Sequence, residues 1–402
     1  MLISLILFFI ISEIIIYFLF VNFKESFQWI IGDKDKNPNF TKKRYSNFIK
    51  NSYHKVLGWD RKPSTFGKEK SIGSSYFSIN KYGFRGKRIY KKDTLAVFGD
   101  SFAFCRYVND NETWEELLSK KIKSNVLNFG VGNYGIDQAF IKYKISKNKI
   151  KAKHIIFCVV PETIARIHSH WKHYREFGNI FGIKPLIHFN NNKMKIINVP
   201  KINIQKDNDK KYFKFNQKLI NHFKKNDIFY EKKFKKNILK FPYIFYFVKN
   251  LRINVPVFFF LFLHSLTKKF NKKNTKFYDC AKKILLKKNI IESHKLYENY
   301  KYTENLIKII QKIELFCKKQ RLEFSIVIIP QYLDIKLNKT NNKYINFYKN
   351  LNNKNIFELT NEIVKKKNWE SFYFDDKYGG HLNKKGNKLV YEIILHKLKN
   401  KY

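Results

Sequence analysis

Short apolar runs alternate with amphipathic stretches near both ends of this chain, and the middle breaks that rhythm. Residues 95–98 (Leu-Ala-Val-Phe) form an uninterrupted apolar run closed by Gly99-Asp100, the signature of a short buried strand. Residues 112–123 place Trp114, Leu117 and Leu118 at helical spacing behind Glu112, Glu115 and Glu116. That order predicts an amphipathic helix with acidic residues at its positive end. A second strand is predicted over 126–129, ending in Gly130-Val131-Gly132, then a helix over 138–147. A third strand over 154–160 is stopped by Pro161. The pattern resumes with a helix around 302–320, a strand over 324–329 ending at Pro330, a short strand at 356–359 and a closing helix over 385–398. Strands alternating with helices predict an α/β fold whose parallel sheet is covered on both faces. Ligands bind such sheets beyond the carboxyl ends of the strands. Gly99-Asp100-Ser101, Gly130-Val131-Gly132, Pro161-Glu162-Thr163 and Pro330-Gln331 all fall there.

Two regions depart from this rhythm. Residues 1–23 are nearly all apolar, long enough to span a bilayer as a helix. Glu13 near the centre costs on the order of 3 kcal/mol, but the Leu, Ile, Phe and Val residues, at about −0.3 to −0.6 kcal/mol each, outweigh it. No small-residue cleavage site follows, so an uncleaved, single-pass anchor is expected rather than a removable leader. The second departure is a Lys/Asn-rich block over 163–320. It holds two aromatic-apolar runs, 241–248 and 255–263; the latter is too short for a span and reads as a buried helix or a surface that leans on the bilayer. The expected organisation is therefore an anchor over 1–23, a linker and lead-in over 24–74, and one domain over 75–402 with an insertion at about 163–320.

Composition changes this picture less than its extremes suggest. The formal net charge of +48 invites a nucleic-acid reading, since Lys and Arg neutralise phosphates. The basic residues are spread along the whole chain and are overwhelmingly Lys, with Asn, Ile, Phe and Tyr also in excess. All have A/T-rich codons, and no nucleic-acid motif accompanies them. Nucleic acid is not an expected partner. The same bias makes Arg informative, because a planar guanidinium grips a carboxylate or phosphate in a geometry that an ammonium does not reproduce. Arg106 and Arg166 lie near the turn motifs and are candidate substrate-binding residues. Cys105, Cys158, Cys280 and Cys317 show neither a metal-ligand spacing nor a disulfide framework.

The candidate chemistry centres on Ser101. A Ser on a tight turn after a buried strand presents its hydroxyl at the rim of the sheet, with its own N–H near a developing oxyanion. Such a Ser needs a base. His381 lies in a Gly-flanked loop behind Asp375 and Asp376, and either carboxylate could orient its imidazole. His168, His170 and His173 form a dense cluster, but converging ligands are not evident and no metal is expected. His170 reads as a substrate-binding or surface residue. Trp171 and Tyr174 could stack on a sugar or pack in a core.

Residues 98–102 (Phe-Gly-Asp-Ser-Phe) resemble the first block of the SGNH/GDSL hydrolase superfamily. Residues 128–138 resemble its second block, especially as seen in acyltransferase-like members acting on bacterial polysaccharides. Residues 376–386 resemble the final block, and 80–86 a lead-in to such domains. The resemblance implies a flavodoxin-like three-layer sandwich and a Ser-His-Asp triad of Ser101, His381 and either Asp376 or Asp375. Asp usually stands three residues before the His, a place held here by Tyr378. The second-block oxyanion donor aligns with Gly132 or Asn133. The third block normally supplies an Asn, where this chain has Pro161-Glu162-Thr163, leaving Thr163 or another group as the substitute donor. The implied activity is serine-dependent ester hydrolysis or O-acyl (acetyl) transfer on an acylated cell-envelope glycan, needing no cofactor and carried out outside the cytoplasm by a membrane-held domain. The alternative is a catalytically weakened glycan-binding or assembly protein that keeps the fold.

Overall fold

A computed structural model describes residues 2–24, 29–69, 72, 74–209, 211–270, 275–338, 343–376 and 378–399. The chain divides into two compact units. One comprises Lys50–His168, Lys184–Val199 and Ile290–Tyr402; the other comprises Met1–Ile49, Ser169–Ile183 and Pro200–Asn289.

The first unit is built on a five-stranded parallel sheet of β1 (Asp93–Gly99), β2 (Asn125–Asn128), β3 (His154–Val159), β4 (Glu323–Ile328) and β5 (Ile356–Glu358). Their spatial order is β5-β4-β3-β1-β2. Numbered along the chain this is 2-1-3-4-5, the flavodoxin-like order, with its switch point between β1 and β3. In-register pairing is long, from Glu323 opposite His154 to Ile328 opposite Val159. These strands are apolar on both faces, as a sheet covered on both sides requires.

Alternation along each strand sorts the side chains into two layers. Leu95 and Val97 of β1 and Ile156 and Cys158 of β3 pack with Trp114 and Leu118 of helix α1 (Trp114–Ile122). Leu389, Val390 and Ile394 of the closing helix, labelled α4 below, join the same cluster. On the opposite face Phe98 stacks on Phe129 at 4.8 Å and meets Tyr143 of α2 (Ile136–Ser146) at 5.3 Å. Phe140 and Tyr143 there pack edge-on against Phe316 of α3 (Tyr300–Lys319). With α4 (Lys384–Lys399) the unit is a three-layer α/β sandwich. Thr113 caps α1, its hydroxyl accepting the Glu116 N–H, and Glu115 and Glu116 occupy the first turn as the sequence order predicts.

The stretch expected as linker and lead-in carries regular structure. Thr65–Glu69 pairs with Ser75–Ile79 as a hairpin. Arg85 bridges Ile79 on one side and Asn128 of β2 on the other. The chain between 163 and 320 returns to the first unit twice, as the Leu186–Asn190/Lys193–Ile197 hairpin and from Ile290 onward.

The second unit holds the N-terminal helix Leu2–Lys24, a small sheet in which Phe40–Thr41 and Ile204–Lys206 flank Tyr212–Phe215, and the helices Tyr243–Lys249 and Leu251–Phe270. Of the described helices, Leu2–Phe23 is long and apolar enough to cross a membrane by itself.

Candidate active site

Gly99 ends β1 where the backbones of β1 and β3 press together: a Cβ there would lie 1.7 Å from the Cys158 carbonyl oxygen. Only glycine fits. The chain then turns sharply. The Asp100 N–H donates to Cys158 O at 3.2 Å, and the Phe104 N–H donates back to Asp100 O at 2.9 Å. The buried Asp100 carboxylate locks the turn from inside. It accepts the N–H groups of Phe102 and Val160 and the Arg166 guanidinium, each at 2.9 Å. Ser101 is left half-buried at the carboxyl end of the sheet, beside the switch point.

The segment that follows is held by Arg85. Its guanidinium pairs with Asp110 at 2.7 Å and donates to the carbonyls of Phe104, Cys105 and Val108. Within this span Cys105 and Tyr107 adopt φ values of +55° and +73°, unfavourable for residues with a Cβ. The bonds to Arg85 supply the surrounding constraint that such backbone needs.

The final loop meets Ser101 from β4 and β5's side of the sheet. Its Gly379 and Gly380 carbonyls accept the Leu333 and Tyr332 N–H groups at 3.1 and 3.3 Å. Gly380 has φ +83°, and a Cβ there would lie 2.3 Å from Tyr332 Cβ, so the loop depends on a glycine. Tyr373 and Leu382 bridge across its base. His381 is thereby aimed at Ser101, with Nε2 at 2.9 Å from its Oγ. Its Nδ1 lies 2.6 Å from Asp376 Oδ2, which also accepts the His381 N–H at 2.9 Å. Asp376 Oδ1 accepts the N–H groups of Tyr378 and Gly380. Burial opposes a charge on Asp376, but His381 and the Tyr378 and His381 amides outweigh it and hold its pKa down to about 2. A carboxylate charged at any working pH fixes the proton of His381 on Nδ1 and leaves Nε2 to accept from the serine. The imidazole is clamped by Phe102, nearly parallel at 5.0 Å, and by Tyr107, edge-on at 5.4 Å.

The structure thus brings Ser101, His381 and Asp376 into one hydrogen-bonded chain. Asp376, not Asp375, receives the imidazole, because the loop between 376 and 381 curls its amides around that carboxylate. Among the described residues, no acceptor takes the backbone N–H groups of Ser101, Gly132 or Asn133. The segment carrying the last two is fixed by Val131 N–H to Gly99 O at 2.9 Å and by Trp59 Nε1 to Gly132 O at 3.0 Å.

Other sequence candidates land elsewhere. Thr163 is fully buried, and its hydroxyl accepts the Ile136 N–H at 3.0 Å. It serves the amino end of α2, where Gly135 has no side chain to cap with. Arg166 is buried beneath the turn, tied to Asp100, to Glu162 at 2.8 Å and to Tyr134 O at 3.0 Å. Its bonds hold the turn that carries Ser101. His170 and Trp171 belong to the second unit's core: Trp171 stacks on Phe223 and donates to Ile180 O, and His170 meets His222 at 3.0 Å. No group of His, Cys, Asp and Glu that could hold a metal occurs among the described residues. Arg106 alone of the four proposed substrate contacts borders the site, its guanidinium over the rings of Tyr107 and Tyr378 at 4.7 and 4.5 Å.

Sequence reasoning gave no role to Tyr107 or Arg61. The Arg61 guanidinium lies 4.3 Å from the Phe104 ring centroid and 4.8 Å from that of Phe77. Arg61 stands outside the recognised blocks, and nothing at Tyr107 signals a left-handed backbone.

No family model matches this chain, and no curated protein matches it. Among solved structures, one similar chain is a protein assigned as a lipolytic member of the G-D-S-L family from Desulfitobacterium hafniense DCB-2. The likeness has 20% identity and a TM-score of 0.16, over 17% of this chain and 39% of that one. So short a match says nothing about function.

Proposed function

We propose that this protein is a membrane-anchored serine hydrolase or O-acyltransferase acting on carboxylic esters, with Ser101 as nucleophile, His381 as general base and Asp376 as the group that orients it. The observation that carries the reading is the continuous path from Asp376 through His381 to Ser101, with links of 2.6 and 2.9 Å. Attack by Ser101 Oγ on an ester carbonyl would pass its proton to His381 Nε2. The tetrahedral oxyanion would be met by the N–H groups of Ser101 and of Gly132 or Asn133. His381 would then return the proton to the leaving alkoxide, and water or an acceptor hydroxyl would release the acyl group. An acetylated cell-envelope glycan, reached outside the cytoplasm, is the substrate class suggested by the second-block resemblance. Trp59, half-buried and bonded to Gly132, offers a ring beside that segment. The test is hydrolysis of a small aryl acetate by the detergent-solubilised protein. Turnover is expected for the wild type and none for Ser101→Ala; equal turnover in the two would refute the nucleophile assignment.

One observation favours a second reading, a glycan-binding protein that keeps the fold. With Thr163 engaged at α2, no side chain of the third block serves the oxyanion, and a missing donor costs about 3 kcal/mol of transition-state stabilisation. Covalent labelling of Ser101 by a fluorophosphonate supports the enzyme. Glycan retention without labelling supports the binding protein.

A further inference from the structure

A carboxylate at the middle of an apolar helix is expensive unless something receives it. In the helix Leu2–Lys24 that residue is Glu13, and it is buried. Its two oxygens accept the backbone N–H groups of Tyr243 and Ile244, the latter at 2.9 Å. These are the first amides of the helix Tyr243–Lys249, which have no partner within their own helix. Around this contact Tyr17 stacks on Tyr243 at 5.5 Å, Phe9 meets Phe245 at 5.9 Å, and Phe20 meets Tyr246 and Phe247. Phe9 and Phe20 are about 16 Å apart along a helix rising ~1.5 Å per residue. The contact therefore lies within the depth of a hydrocarbon core about 30 Å thick.

The chain then bends by 100° into Leu251–Lys268. The carbonyls at the bend accept the Asn250 N–H and side-chain amides as well: Asn250 Nδ2 donates to Tyr246 O at 3.2 Å, and the buried Asn254 donates to Phe247 O at 3.1 Å. Backbone polar groups at membrane depth must be satisfied inside the protein, and here Glu13 takes the Tyr243 and Ile244 amides while Asn250 and Asn254 serve the Tyr246 and Phe247 carbonyls. Lys249 and Arg252, both exposed, flank the bend, where long cationic side chains reach headgroups and water. Beyond it, Val257 and Leu261 face inward with Ile16, Phe20 and Ala281. Leu251, Val255, Phe259, Phe262 and Leu266 form an exposed apolar stripe at helical spacing, and Phe241, Phe245 and Val248 before the bend are exposed as well.

We propose that residues 241–268 are a second membrane-embedded element, a bent helical pair that enters the bilayer beside the N-terminal helix, is tied to it through Glu13, and presents its outer stripe to lipid. The proposal rests on the reading of Leu2–Lys24 as a membrane span and is independent of the catalytic assignment. A monomer does not ordinarily expose so long an apolar surface to water, and Phe245 of this surface meets Phe9 of the span. The occupant is the hydrocarbon of the same bilayer.

The test uses the full chain, with partly exposed Cys280 replaced by Ser, reconstituted in phosphatidylcholine vesicles. Nitroxide labels are placed singly at Phe245→Cys, Phe259→Cys, Ile10→Cys and Phe66→Cys, all exposed positions. Relaxation by dissolved oxygen is compared with relaxation by a water-soluble nickel chelate. Oxygen is expected to dominate at 245 and 259 as at 10, and the chelate at 66. Chelate-dominated relaxation at 245 and 259 with oxygen dominant at 10 would overturn the proposal while leaving the span intact. Chelate dominance at all three sites would overturn the proposal by removing the span it leans on.

Discussion

Asp375 and Asp376 are neighbours of the same chemistry, yet only Asp376 collects the His381 imidazole and three backbone amides. Asp376→Asn is expected to lower kcat about 10⁴-fold, because an amide there favours the wrong imidazole tautomer. Asp375→Asn should leave kcat close to the wild-type value; similar losses in both variants would contradict the assignment. The depressed pKa of Asp376 also makes it a stability element. A carboxylate at about 2 in the folded chain and about 3.9 unfolded stabilises the fold above pH 4 and loses that contribution as pH falls through 4 toward 2. The amount is about 2 to 3 kcal/mol. Chemical denaturation at pH 6 and pH 2.5 should therefore show a smaller drop for Asp376→Asn than for the wild type.

The turn that carries Ser101 depends on residues outside it, and its fragility belongs to them rather than to Ser101. Arg166, from the segment after β3, neutralises Asp100 beneath the turn after β1. Arg166→Met would strand two buried carboxylates, Asp100 and Glu162, and is expected to cost about 3 kcal/mol or more. Fluorophosphonate labelling of Ser101 should fall with it; full labelling at wild-type stability would show that the turn stands without the ion pair. The strands themselves were legible, because apolar runs such as 154–160 and 324–329 are bounded by turn residues, and they emerge as His154–Val159 and Glu323–Ile328. Ser101 and His381 were legible for a related reason: each sits in a short loop whose glycines the backbone demands. What was not legible is direction. Thr163 and Arg166 look like rim residues in one dimension, and only packing shows that both point into the fold. Asp376 could not be separated from Asp375 by spacing either, since the choice depends on how the loop coils its amides. Nor could pairing between distant segments, such as Phe40–Thr41 with Tyr212–Phe215, be read from strands two to four residues long.

At the scale of the whole chain, a net charge of +48 and an apolar N-terminus pull toward opposite partners, anionic polymer and lipid. The charge is Lys dispersed along the chain, and its attraction to DNA should vanish with added salt. The apolar helix is engaged by specific contacts. A leader destined for removal has no reason to satisfy amides of the mature chain. Here Glu13 caps Tyr243–Lys249, and Ile16 and Phe20 pack against Trp29, Ile30, Val257 and Leu261. Excision would uncover two helix N–H groups and an aromatic cluster together. The helix is therefore expected to persist in the working protein. Mass spectrometry on protein purified from membranes should show that the segment Leu2–Lys24 is retained. A mass lacking the first two dozen residues, in protein that still labels at Ser101, would mean that the second unit folds without the helix and that Glu13 is not the tie described above.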